Sequence, residues 1–129
     1  LQAEVAVAGY SFEGALGAPT LTWGTLEDLT GLRGEPGLRR LAVPTEPGDA
    51  GGPVFDAEGA VLGMLLPRDA DGARQLPAEV NFAAEAGRLA QVLEASGLPV
   101  RAAERGRAMA PEDLVLAAAE MTVLVSCWN

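Results

Sequence analysis

The run from Pro53 to Leu66, PVFDAEGAVLGMLL, constrains the fold more than any other part of the chain. Two β-rich stretches, Pro53 to Phe55 and Val61 to Leu66, flank Asp56 to Gly59, whose residues tolerate tight turns, so the backbone is expected to reverse here as an antiparallel hairpin. Other segments repeat the pattern. Val5 and Val7 alternate with Ala6 and Ala8 across Glu4 to Ala8, Thr20 to Leu26 is rich in β formers, and Leu38 to Val43 is a short run ended by Pro44. Between them lie breakers: Gly9, Gly14 to Pro19 and the turn-forming TGLRGEPG. A polar connection, PRDADGARQLP, leads to one more strand near Val80 to Ala83. Short strands at this spacing predict a mainly β chain, an antiparallel barrel or sandwich.

After Ala84 the apolar period lengthens. Ala86, Leu89, Val92 and Leu93 fall on one helical face, and Gly97 with Pro99 supplies the stop, which predicts a helix of about three turns. Leu98 to Ala110, LPVRAAERGRAMA, shows little periodicity and reads as a linker. Pro111 followed by Glu112 and Asp113 opens a second helix in the favoured order, proline first and acids over the positive end of the dipole. Leu114, Ala117, Ala118 and Met121 make its apolar face. The apolar end, Val123 to Trp128, alternates as a strand does and is expected to pair with a sheet edge or another subunit.

Composition narrows the function. At 129 residues the chain suits one ordinary domain, and no apolar run approaches the ~20 residues of a membrane helix. A formal net charge of -9 opposes a nucleic-acid groove or an anionic membrane surface as partner. Histidine is absent, so no imidazole from this chain can act as general base or metal ligand. Cys127 is the single cysteine, read as a buried thiol, and it excludes both an internal disulfide and a multi-cysteine metal site. Acidic pairs (Glu27 with Asp28, Asp69 with Asp71, Glu112 with Asp113) lack the oxygen-ligand spacing of a calcium loop. No metal and no cofactor is therefore expected. Trp23 and Trp128 read as packing residues. The chain begins at Leu1 rather than Met, as a processed form or a piece of a longer protein does.

Just before the hairpin stands EPGDAGGP, Glu46 to Pro53. In serine-nucleophile enzymes the hydroxyl sits on a tight turn, with backbone N–H groups aimed at the oxyanion that develops during acyl transfer. Glycines suit such a turn because they accept positive φ and let a carbonyl approach the backbone. PGDAGGPVFDAEGAVLGML resembles the G-D-S-G-G-P pattern and following hairpin of trypsin-like serine proteases, with alanine at Ala50 in place of serine. Val80 to Gly97, VNFAAEAGRLAQVLEASG, resembles the strand and closing helix of HtrA-like bacterial members, and Val5 to Leu32 is similar to the opening of their second barrel.

The resemblance implies a single Greek-key antiparallel barrel, the C-terminal half of a chymotrypsin-like double barrel, over residues 1–97. A linker over 98–110 and a helix-strand extension over 111–129 follow. By position, Ala50 stands at the nucleophile, the N–H groups of Gly48 and Ala50 at the oxyanion hole, and Asp49 and Gly51 support the turn. Leu65, Leu66, Pro67 and Arg68 correspond to the strand that pairs with the substrate backbone. Pro44 and Asn81 fall at the floor and wall of the pocket for the residue before the scissile bond. The implied partners are a peptide or protein substrate and either an N-terminal barrel or a second copy, in a periplasmic or secreted setting. Without serine at position 50 and with no histidine the chain should not hydrolyse peptides, since losing the nucleophile costs on the order of a millionfold in turnover. The competing reading is a natural pseudoprotease that binds peptides or proteins.

Overall fold

The computed structural model describes residues 2–10, 19–68, 76–100 and 107–125. Six strands form: β1 (Glu4–Gly9), β2 (Thr20–Asp28), β3 (Leu38–Ala42), β4 (Pro53–Phe55), β5 (Val61–Leu65) and β6 (Val80–Glu85). All their pairings are antiparallel, and the order β1-β2-β3-β6-β5-β4 closes on itself. The sheet is thus a barrel rather than a sandwich. Two three-strand meanders build it, β1 to β3 and β4 to β6, and the crossover from β3 to β4 gives Greek-key connectivity. Ala6 opposite Phe55 and Val7 opposite Val54 make one seam, and Leu38 to Ala42 opposite Ala84 to Val80 make the other.

Strand alternation decides what fills the barrel. Val5, Val7, Leu26, Leu41, Val43, Val54, Leu65 and Ala83 form the interior cluster. Ala6, Ala8 and Phe55 point the other way and belong to a second buried cluster outside the barrel. The hairpin stands as expected: Asp56 N–H donates to the Ala60 carbonyl at 2.9 Å, Asp56 Oδ1 accepts from the Glu58 and Ala60 amides, and Gly59 takes a φ of 85°.

Helix α1 (Ala86–Ala95) ends at Gly97 as anticipated, with Gly97 N–H bonded to the Glu94 carbonyl and Leu98 N–H to Leu93. Its apolar face, however, is not buried: Val92 is 65% and Leu93 41% exposed. Helix α2 (Pro111–Met121) lays Leu114 and Ala118 over Ala6, Ala8 and Phe55, with Met109 beside them. Of the four residues assigned to its apolar face, Ala117 is half-buried, Met121 is half exposed, and both lie outside that cluster.

The strand expected after α2 does not form over Thr122–Val125. Thr122 is extended (φ -104°, ψ 130°), yet residues 122–125 join no ladder. Within this chain the closed sheet leaves no edge whose N–H and C=O groups could receive another strand, so of the two expected partners, a sheet edge or another subunit, the first is ruled out for residues 122–125. Positions 126–129, with Cys127 and Trp128, lie outside the described residues, as do 11–18, most of the polar connection with Asp69 and Asp71, and 101–106 of the linker. Trp23 lies on β2 opposite Ala6 and is 37% exposed, so it is only partly a packing residue.

Candidate active-site turn

The crossover between the meanders carries EPGDAGGP. Pro47–Asp49 is one 3-10 turn in which Asp49 N–H donates to the Glu46 carbonyl at 2.9 Å. The Asp49 carboxylate is buried and returns the contact, its Oδ2 accepting from Glu46 N–H at 2.9 Å. Gly51 follows with φ 85°, a left-handed conformation that a Cβ would strain. Its N–H donates to the Leu65 carbonyl at 2.7 Å, and Leu65 N–H donates to the Gly52 carbonyl at 2.9 Å. Gly52 also lies so close to β1 that a Cβ there would collide with the Ala8 carbonyl. One at Gly9 would strike the Asp49 side chain. The turn is clasped between β5 and β1.

Ala50 is exposed at the tip. It lines a cavity of about 490 Å³ with Gly48, Gly51, Gly52 and Pro53, and with Gly9 and Tyr10 at the end of β1. The opposite wall is Met121 to Val125, the segment leaving α2. The Tyr10 hydroxyl donates to the Thr122 carbonyl at 3.4 Å and Thr122 N–H donates to the Ala118 carbonyl at 2.9 Å, which ties this segment beside the turn.

The remaining expected site residues sit on the other flank, outside that lining. Leu65 does not meet the expectation of pairing with a substrate: its side chain points into the core, and its N–H and carbonyl are both taken by Gly52 and Gly51 of the turn. Leu66 N–H is spent on the Phe82 carbonyl at 2.9 Å, and Pro67 is exposed. Asn81 is buried, and its Nδ2 donates to the Val43 carbonyl at 2.6 Å, next to exposed Pro44. The Arg68 guanidinium donates to Asn81 Oδ1 at 3.1 Å and to the carbonyls of Val80, at 2.7 Å, and Leu76, at 3.1 Å. Pro44, Asn81 and Arg68 thus form one linked corner. Sequence reasoning missed Tyr10 and Thr122. A lone tyrosine at a strand end was the available signal for the first, while the second depends on where α2 docks, which no local pattern encodes.

Among the described residues no group of His, Cys, Asp and Glu could hold a metal ion, and no helix is long and apolar enough to cross a membrane.

Comparison with known proteins agrees with this geometry. The family model for the trypsin-like peptidase domain matches residues 1–64. The Rv3671c protease of M. tuberculosis H37Rv, as an inactive serine-to-alanine mutant, superposes with a TM-score of 0.55 at 30% identity over 78% of this chain and 51% of that one. The fold is that of a trypsin-like serine protease barrel. The active form of Rv3671c gives the same TM-score of 0.55 at 28% identity, over 79% of this chain and 46% of that one. A serine endoprotease from Yersinia pestis, at 18% identity and a TM-score of 0.56, shares the fold over 72% of this chain and 30% of its own. In sequence, the uncharacterized protein y4bJ of Sinorhizobium fredii is 32% identical over 130 residues, 95% of this chain and 20% of that protein. The chain thus spans about half the length of the Rv3671c chains and a fifth of the rhizobial relative. The 95% share of this chain matched to y4bJ leaves too few residues unmatched to exclude α2, so the likeness extends past the barrel into that helix.

Proposed function

We propose that this chain is the C-terminal barrel of a trypsin-like serine endopeptidase, carrying the nucleophile turn and part of the substrate groove, and inactive with Ala50 at the nucleophile position. The observation that carries the reading is the clasped turn: Gly48 and Ala50 line an open cavity while Asp49, Gly51 and Gly52 are held from behind by Glu46, Leu65 and β1. An acyl-transfer site needs that division, rigid support on one side and amides free to meet a developing oxyanion on the other. Gly48 and Ala50 N–H groups take the oxyanion role. With the Leu66 N–H already bonded to Phe82, the backbone there is left to meet an extended peptide through the Leu66 and Pro67 carbonyls and Arg68, and the corner at Pro44, held from within by buried Asn81, bounds the pocket before the scissile bond. General-base chemistry must come from an upstream barrel, because the chain has no histidine.

The test is Ala50→Ser in this chain joined to an upstream half bearing histidine and aspartate, treated with a fluorophosphonate probe. Covalent labelling of the serine supports the enzyme. A second reading, a pseudoprotease that binds peptides without cleaving them, is favoured by Ala50 itself together with the absence of histidine. Persistent silence toward the probe in a folded fusion selects it.

A further inference from the structure

Resting on the reading above, we infer that Met121–Val125 forms, with Gly9, Tyr10 and the turn, a binding site for the residue that follows the scissile bond of an extended peptide, and that it selects an apolar side chain there.

The location comes from the two flanks of the turn. Leu65, Leu66, Pro67, Asn81 and Pro44 occupy one side, where the peptide before the scissile bond is assigned, and none of them lines the cavity. The cavity opens on the other side, so a peptide continuing past Ala50 enters it. Its volume, about 490 Å³, lies within the range of ligand pockets, about 300–1,000 Å³, so the segment walls the space rather than filling it.

The chemistry comes from the wall. Val123 and Val125 are 74% and 81% exposed and Leu124 and Met121 about half, an apolar strip facing a backbone-lined turn on an otherwise acidic chain. Such a strip favours an uncharged, apolar side chain and disfavours an acidic one. Thr122 anchors the strip: it is 93% buried, its carbonyl accepts from the Tyr10 hydroxyl and its amide donates to the Ala118 carbonyl.

The experiment titrates the chain with two capped hexapeptides, Ac-Ala-Ala-Val-Leu-Ala-Ala-NH2 and its counterpart with Asp in place of Leu, while backbone amides are followed by NMR. The leucine peptide is expected to shift both Gly48–Gly52 and Met121–Val125, and to bind about tenfold more tightly than the aspartate peptide. Leu124→Asp, at a half-exposed position, should abolish that preference while Gly48–Gly52 still respond. Shifts confined to the turn, with Leu124→Asp silent, overturn the inference and leave the proposed function standing. No response at the turn from either peptide overturns both. Tighter binding after replacement of residues 122–125 by glycine identifies the segment as a plug and also overturns it.

Discussion

A methyl group at Gly52 has nowhere to go, because the Ala8 carbonyl already occupies its place. Gly52→Ala should therefore cost about 1–3 kcal/mol of unfolding free energy, the penalty of forcing a group into a packed site. Gly51→Ala meets open space but a φ of 85°, so its cost is conformational, about 1–2 kcal/mol. Urea denaturation ranks the two, and a Gly52→Ala protein as stable as its parent would contradict the close approach. Glu27 offers a pH-dependent counterpart. Hydrogen bonds from Thr25 and Gln2, in that order, hold its carboxyl below the ordinary glutamate value. A depressed folded value means the carboxylate's contribution is present above the unfolded value and lost as pH falls through the folded one. The side chain is open to solvent, so the effect on stability is small, but a carboxyl-detected titration should place Glu27 below the ordinary glutamate value, and Thr25→Val should raise it. At this scale the sequence was readable where chemistry is local. GDAGGP announced a strained turn with a supporting acid, and the structure has Asp49 bonded to Glu46. The Tyr10–Thr122 contact was invisible because 112 residues separate its partners.

Helix α2 covers an apolar patch that the barrel turns outward. Because Leu114 is 1% exposed against Ala6, Ala8 and Phe55, Leu114→Ala should remove about 2–5 kcal/mol, the usual cost of truncating a buried leucine. Deleting residues 107–129 should leave a barrel that binds a hydrophobic dye such as ANS, and absence of dye binding would show that the patch closes by itself. The elements were largely legible: a period of two gave the strands, a period near 3.6 gave both helices, and Pro111 and Gly97 marked their ends. The segment after α2 was not. Its alternation resembles a strand, but a strand requires a free edge, and closure is a property of all six strands together. For α1 the pattern predicted a face without saying what covers it, and Val92 and Leu93 are exposed.

That exposed face governs the behaviour of the molecule as a whole. Val92, Leu93, Leu98 and Val100 present apolar area near the end of α1, and isolated patches of this kind mark contact surfaces. The chain is expected to self-associate or to capture an upstream barrel. Light scattering should report a mass above 13.2 kDa that rises with concentration, and Val92→Asp with Leu93→Asp should return it to the monomer value. A clean monomer at high concentration would remove this surface from consideration.

The clasp around Gly51 and Gly52 has one more consequence. It draws on β1 from the first meander and on Leu65 from the second, so neither half of the sheet can assemble that corner alone. The amides of Gly51 and Leu65 should then exchange with deuterium only when the entire barrel opens, and whatever the turn recognises will be released at the same temperature at which the strands part.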